Sequence, residues 1–310
     1  MFKVTTFTVK EVLGAVKDTS YISEQISPEI YKKCIQESGF ALRFGLKNPV
    51  IRDLIERSII DGNFKHVPEL GHGFLNKVIE ICSDEKIPDN QIYPILREYF
   101  ANLIQQNGAL TEAFAMEREG RVKSRIDEVR KILNGISVTK VTDIGCGDGQ
   151  IITALKTEFR IPRQDVTGLE VFVRPDVEKE FVLTKFDGRR LPLEDNSQDL
   201  ITIFAVLHHS DNPKELIDEA YRILKPGGHV ILRDFDSETN KDKLFQLIMD
   251  QMLYEVYTPY PDVPIPGSYA SMKDWLNFFR KSGFSASNYE RIGGDSHPYK
   301  PFIALFKKYC

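Results

Sequence analysis

The sequence predicts an α/β fold in which a mainly parallel sheet follows a helical N-terminal region. From residue 138 onward, short apolar segments alternate with helical ones, and such alternation is typical of an open parallel sheet covered by helices. Near the end, two further apolar segments, at 285–291 and 302–307, are joined by a connection too short for a crossover. We therefore expect these last two strands to pair antiparallel.

The N-terminal region carries the signals of successive helices. Ser27-Pro28-Glu29 supplies a capping hydroxyl, a proline at the first helical position and an acid in the first turn. Apolar residues then recur at helical spacing, and further helices are predicted over 71–82, 89–106 and 109–133. We expect a helical cap or lid subdomain over 1–130, followed by an α/β domain over 131–310.

Composition limits the classes of protein that this chain can represent. It has 310 residues, 42% of them hydrophobic and 28% charged, so it can bury a sizeable core. Its net charge of -4 disfavours proteins that coat nucleic acid or anionic lipid, because that binding needs basic charge. The four cysteines lie far apart, which indicates a reduced compartment.

Neither end of the chain nor its interior suggests membrane insertion. The first residues lack the charged-then-apolar plan of a signal peptide. No apolar run approaches the roughly 20 residues that a membrane-spanning helix needs. We expect a cytoplasmic protein without a membrane partner.

The most informative segment is a glycine-rich turn where the first predicted strand, 138–144, meets a helix. Glycines at 145, 147 and 149 allow backbone to approach a ligand closely. In open α/β sheets, ligands bind beyond the carboxyl ends of the strands. Glu170 ends the second predicted strand, 166–170, where a carboxylate can accept both hydroxyls of a ribose.

Two cofactor classes use such a layout. A dinucleotide fingerprint needs Gly-x-Gly-x-x-Gly, whereas the third glycine here arrives one residue early. Asp143 and Asp148 would also place negative charge beside a pyrophosphate. The same acids suit a cationic ligand that carries an amino group, so the pattern favours this second class.

At this point the sequence resembles the class I S-adenosylmethionine-dependent methyltransferases, and among them the type 11 group. The resemblance covers about 130–310 and leaves 1–115 outside. Its motifs, in chain order, are Asp143–Gly149, Glu170, Phe186–Asp195, Asp199–His209 and Leu224–Gly228. It implies a Rossmann-like sheet of seven strands whose last hairpin is antiparallel. The alternating pattern itself predicts the further strands near 181–186, 200–206 and 230–233.

The resemblance also implies a set of cofactor-binding residues for S-adenosylmethionine. The turn Gly145-Cys146-Gly147 would face the methionine part, with Asp143 near its amino group. Glu170 would bind the ribose, and Asp187 with the Gly188 backbone would bind the adenine. An arginine of the helix before the first strand (Arg118, Arg121 or Arg125) is a further candidate for the cofactor carboxylate. No metal ion is expected.

Residues on the acceptor side are expected at the ends of the fourth and fifth strands. His208 and His209 end the fourth strand and either orient or deprotonate an acceptor or shape the pocket wall. Arg233 lies at the same rim after the fifth strand. The tyrosines that follow either stack on a planar acceptor or belong to the core; they are Tyr254, Tyr257, Tyr260 and Tyr269.

The acceptor itself stays open between three hypotheses. We expect a small molecule and no DNA partner. The fourth strand ends without the acid of cap ribose methyltransferases or the Pro-Pro of base amino methyltransferases. Leu207-His208-His209 is, however, similar to the strand ending of cap guanine-N7 enzymes, and Lys185, Arg189 and Arg190 form a small basic cluster. The third hypothesis is an inactive binding protein that keeps the fold.

Overall fold

The computed structural model describes residues 26–174, 177, 180–258, 263, 265–294 and 297–309. In chain order its α-helices are α1 (Pro28–Gln36), α2 (Ser38–Lys47), α3 (Pro49–Arg57), α4 (Pro68–Ser83), α5 (Asp89–Gln106), α6 (Gly108–Leu133), α7 (Gln150–Phe159), α8 (Pro213–Ile223), α9 (Asn240–Met252) and α10 (Met272–Lys281). Its strands are β1 (Val141–Ile144), β2 (Val166–Glu170), β3 (Val182–Lys185), β4 (Gln198–Phe204), β5 (Leu224–Phe235), β6 (Phe284–Arg291) and β7 (Pro301–Lys308). No helix within these ranges is long and apolar enough to span a membrane.

The seven strands form one sheet with the order β3-β2-β1-β4-β5-β7-β6. Strands β1 to β5 run parallel to one another, and β7 runs antiparallel between β5 and β6. The predicted class I methyltransferase fold, with its antiparallel last hairpin, is therefore confirmed. Strand order reverses between β1 and β4, which is where open α/β sheets bind ligands.

Local sequence signals explain where the helices begin. The Ser27 side chain accepts a hydrogen bond from Ile30 N at 3.3 Å, directly before Pro28, as the sequence predicts. Helix α9 starts with a capping box in which the Thr239 and Asp242 side chains each accept from the other's backbone N–H. Such caps satisfy N–H groups that have no partner within the helix.

The N-terminal helices share a hydrophobic core with α9, which follows β5 in the chain. Phe74 and Phe100 from α4 and α5 lie in the same cluster as Leu244 and Ile248 from α9. The cap-like layer of helices is thus built from both sides of the predicted boundary at residue 130, which itself falls inside α6. The division into two domains stays a prediction.

Two strands start three or more residues away from their predicted first residue. Strand β1 starts at Val141 instead of 138. Strand β5 starts at Leu224 instead of 230, because Leu224 already pairs with Gln198 across an irregularity in register. Gly227 has φ of 82°, a conformation that glycine adopts without steric cost.

Candidate active site

A cavity of about 720 Å³ opens at the carboxyl ends of the parallel strands. Its wall combines the turn after β1, the ends of β2 and β3, the segment after β4, and the turn that follows α9. Five predicted cofactor residues and one predicted acceptor residue line it: Gly145, Gly147, Glu170, Asp187, Gly188 and His209. The sheet therefore brings together residues that are up to 64 positions apart in the chain.

The turn after β1 needs glycine for two separate reasons. Gly145 has φ of 71°, and a Cβ atom there would lie 2.4 Å from Val206 Cγ2. Its N–H donates to the Leu169 carbonyl at 2.8 Å, which fixes the turn against β2. Gly147 has φ of 57° and faces the cavity. The backbone of this turn is consequently presented to the cavity without side chains between.

Glu170 ties the end of β2 to the glycine turn. Its Oε2 accepts a hydrogen bond from Gly147 N at 2.8 Å. Its Oε1 accepts from Val171 N at 2.8 Å and from Phe172 N at 3.3 Å. An ionised carboxylate offers about four lone-pair sites, so Glu170 keeps capacity for a ligand hydroxyl.

Asp187 is positioned by its own turn. Its Oδ1 accepts hydrogen bonds from Arg189 N and Arg190 N, both at 2.9 Å. These backbone bonds lower the pKa of Asp187 below its ordinary value, because they stabilise the ionised form. Gly188, with φ of 83°, turns the chain so that both residues border the cavity.

Asp143 and Cys146 lie beneath the glycine turn and do not line the cavity. Asp143 is buried and accepts a hydrogen bond from Thr202 Oγ1 at 2.6 Å, between β1 and β4. Burial raises the pKa of Asp143 to about 7, and the nearby charge of Glu170 adds to this increase. The hydrogen bond from Thr202 acts in the opposite direction but is the weaker effect. The Cys146 side chain packs toward Gly168, and burial raises the pKa of its thiol.

The two adjacent histidines occupy different environments on the turn after β4. His209 lines the cavity and packs edge-to-face on Tyr254, with ring centroids 5.3 Å apart. His208 lies behind it, only 2% exposed, with the two imidazole centroids 4.2 Å apart. The neighbouring ring of Tyr269 stacks on His208 at 5.5 Å.

Two buried aspartates flank His208. Its Nδ1 lies 2.7 Å from Asp234 Oδ1, and its Nε2 lies 3.7 Å from Asp250 Oδ2. Tyr269 donates its hydroxyl proton to Asp250. Burial disfavours the imidazolium, but the charges of both aspartates outweigh this effect and raise the pKa of His208 to about 9.

Arg233 lies away from the cavity, unlike the acceptor-side position expected from the sequence. Its Nε donates to Glu128 Oε2 of α6 at 2.9 Å, and Arg125 Nη1 donates to the other oxygen of Glu128 at 3.0 Å. The reason is strand alternation, because successive side chains of β5 point to opposite faces and Arg233 faces α6. Arg125 joins this ion-pair network and does not border the cavity.

Two residues of this site were not among the predicted site residues: Asp234 and Asp250. A signal for Asp250 was present in α9. Asp242, Gln246 and Asp250 recur every four residues on a helix that also buries Leu244, Phe245, Leu247, Ile248 and Met249, and all three polar residues are buried as well. A polar stripe on a buried helix face indicates internal polar partners.

The predicted tyrosines divide between the two roles considered for them. Tyr254 lines the cavity. Tyr257 belongs to the core, where its ring packs on Phe100 with centroids 5.0 Å apart. Tyr269 is buried against His208, and Tyr260 lies outside the described residues.

Comparison with known proteins finds similarity to methyltransferases. Residues 142–232 match the family model described as a methyltransferase domain. The ubiquinone biosynthesis O-methyltransferase of Vibrio atlanticus (strain LGP32) is 28% identical over 142 residues, which cover 43% of this chain and 58% of that protein. The demethylmenaquinone methyltransferase of Staphylococcus aureus (strain JH9) is 26% identical over 219 residues, which cover 68% of this chain and 84% of that protein.

Among solved structures, one similar protein is a methyltransferase of Thermotoga maritima that is described as a possible histamine N-methyltransferase. Its sequence is 19% identical, and the aligned region covers 63% of this chain and 94% of that chain, with a TM-score of 0.45. The family-model match shows a methyltransferase domain over residues 142–232, and the sheet that contains it has the strand order of the class I methyltransferase fold.

Proposed function

We propose that this protein transfers a methyl group from S-adenosylmethionine to a small-molecule acceptor that binds beside His209. One observation carries the proposal: a single cavity is bordered both by the glycine turn, Glu170 and Asp187 and by His209 and Tyr254. Donor and acceptor would therefore meet in one cavity at the point where strand order reverses.

The residues around the glycine turn suit the proposed cofactor. Gly145 and Gly147 expose backbone without Cβ atoms, and Glu170 keeps a lone pair for a ribose hydroxyl. Asp187 would accept from the adenine amino group, and Asp143 beneath the turn would add negative potential toward a cationic ligand. When bound, S-adenosylmethionine would supply a methyl group carried on a positively charged sulfur, and this sulfur is the leaving group when an acceptor nucleophile attacks the methyl carbon.

His209 is the histidine whose position suits contact with the acceptor. It lines the cavity, whereas His208 is buried and has its Nδ1 engaged by Asp234. We assign to His209 the role of orienting the acceptor, together with Tyr254, whose ring forms the adjoining wall. Such positioning and exclusion of water are the main contributions that a protein makes to an in-line displacement.

Two considerations support a small acceptor over RNA. The charges that line the cavity balance, with three carboxylates and three cations: Glu170, Asp187, Asp211, Arg174, Lys185 and Arg189. An RNA-binding entrance would need excess basic charge. Two of the relatives are also named for quinones, which are small molecules. Capped RNA remains the second candidate because Lys185 and Arg189 both border the cavity.

Calorimetric titration of the full chain with S-adenosylmethionine tests the cofactor assignment. We expect one molecule bound per chain, and a folded protein that binds none would overturn the proposal. Transfer of a tritiated methyl group is then measured with pools of phenolic and hydroxylated small molecules and, separately, with capped RNA. Labelling of RNA alone would replace the small-molecule proposal with the guanine-N7 hypothesis, and binding without any transfer would favour the inactive binding protein.

A further inference from the structure

Three side chains beside the cavity have the composition of a metal site. His208, His209 and Asp250 each offer a ligand atom, and these atoms all lie within 4.8 Å of one another. His208 Nε2 and Asp250 Oδ2 are 3.7 Å apart. Ligand atoms at zinc distances of 2.0–2.2 Å in a tetrahedral site would lie about 3.4 Å apart, so a small side-chain movement is enough to bring this pair to a common ion.

The groups behind these side chains are those that orient metal ligands. Asp234 Oδ1 lies 2.7 Å from the Nδ1 of His208. This hydrogen bond orients the imidazole ring so that its Nε2 points toward Asp250. Tyr269 donates its hydroxyl proton to Asp250. A carboxylate behind a ligating histidine and a hydrogen bond to a ligating carboxylate are regular features of protein metal sites.

An unsatisfied oxygen provides an independent observation. Asp234 is 1% exposed, and its Oδ2 has no hydrogen-bond partner among the described residues. Two buried carboxylates, Asp234 and Asp250, therefore share one neighbouring imidazole. A single imidazolium can balance only one of the two carboxylates, so the site can accommodate a cation of higher charge.

We propose that His208, His209 and Asp250 bind a divalent transition-metal ion at the acceptor end of the cavity. Two imidazoles with one carboxylate suit zinc or a similar first-row ion, whereas magnesium and calcium prefer oxygen ligands alone. Three protein ligands leave a coordination position for a further molecule. Since His209 lines the cavity, that position faces the place assigned to the acceptor.

This inference rests on the proposed function and narrows its acceptor to one with a phenolic or enolic hydroxyl. A bound divalent ion lowers the pKa of an oxygen ligand, so the hydroxyl proton leaves to water. The oxygen lone pair then forms the O–CH₃ bond, and the C–S bond breaks with its electron pair retained by sulfur. His209 would thus influence the acceptor indirectly, by holding the metal ion that binds the acceptor oxygen.

Cobalt titration of the chelator-treated full chain tests the site. Co²⁺ bound to two imidazoles and a carboxylate gives visible absorption bands, and we expect one ion per chain, displaced by Zn²⁺. Asp250→Asn and His209→Gln should each weaken Co²⁺ binding at least 10-fold, and Asp234→Asn, which removes the carboxylate behind His208, by about 10–100-fold. His72→Gln alters an exposed histidine of α4 and should leave the binding unchanged.

Absence of Co²⁺ bands, or equal Co²⁺ affinity in Asp250→Asn, His209→Gln and His72→Gln, would overturn the metal site. Calorimetry with S-adenosylmethionine on the same chelated protein separates the two proposals. Cofactor binding without a metal site leaves the proposed function standing, whereas loss of cofactor binding in every sample counts against the function itself.

Discussion

The backbone N–H of Gly147 lies 2.8 Å from Glu170 Oε2, so one carboxylate joins the turn after β1 to the end of β2. The same carboxylate accepts two further backbone hydrogen bonds, from Val171 and Phe172. The shape of the cofactor turn therefore depends on the charge of a side chain 23 residues further along the chain.

Replacing that charge should weaken cofactor binding. In Glu170→Gln one oxygen is retained, but the charge-assisted bond to Gly147 and the acceptor for a ribose hydroxyl are weakened. Hydrogen bonds to charged groups contribute about 1.5–3 kcal/mol, so we expect S-adenosylmethionine affinity to fall at least about 10-fold by calorimetry. Glu85→Gln, on an exposed loop between α4 and α5, is the matched control, and equal affinity of the two variants would contradict this role.

Substitution by alanine should destabilise the protein more at Gly145 than at another glycine with a similar φ. Gly145→Ala and Gly227→Ala share the backbone cost of a positive φ, about 1–2 kcal/mol. Only at Gly145 would the new Cβ meet Val206, at 2.4 Å, since Gly227 has no atom within 4 Å. We expect urea unfolding to show an additional loss of about 1–3 kcal/mol for Gly145→Ala; equal losses would show that the clash is relieved.

Asp143 should make the protein less stable as pH rises. Its pKa is about 7 in the folded chain against an ordinary value of 3.8, so the folded state binds more protons between these values. Stability contributed by protonated Asp143 is therefore present below about pH 4 and lost by about pH 7.

Asp143→Asn removes this dependence while keeping an oxygen for the Thr202 hydroxyl. Relative to the unchanged protein, the variant should gain stability from pH 4.5 to pH 8, by at most about 4 kcal/mol. Urea midpoints at the two pH values measure the gain. A difference that stays constant with pH would refute the raised pKa.

Glu128 should be more important for stability than its neighbour Asp127. Glu128→Gln leaves Arg233 and Arg125 without their shared carboxylate in a largely buried position, and breaking a buried ion pair costs about 3–5 kcal/mol. Asp127→Asn breaks only the exposed pair with Arg130, which is worth about 0–1 kcal/mol. Urea unfolding of both variants compares the losses, and similar values would mean that the Arg233 site is well hydrated.

The strand and helix positions of the α/β part could be predicted because they depend on local pattern. Strand β2 has its predicted bounds, Val166–Glu170, and the antiparallel pairing of β6 with β7 follows from a short connection. The glycine turn was recognisable for the same reason: close approach of backbone restricts the residue type at fixed positions.

The direction of individual side chains was not predictable from the same patterns. Arg233 and Asp234 are adjacent in sequence, yet one faces α6 and the other faces His208. Which face each residue takes depends on the pairing of β5 with β4 and β7. His208 and His209 likewise differ in exposure, since His208 packs between Asp234 of β5 and Asp250 of α9 whereas His209 lines the cavity.

The sequence by itself determined the fold class, the order of the motifs and the cofactor end of the cavity, because these follow from residue types at short spacings. Only the tertiary structure decided that Asp250 of α9 meets His208 and that the N-terminal helices share their core with α9. Contacts between segments so far apart depend on how whole elements pack, and no local spacing records that packing.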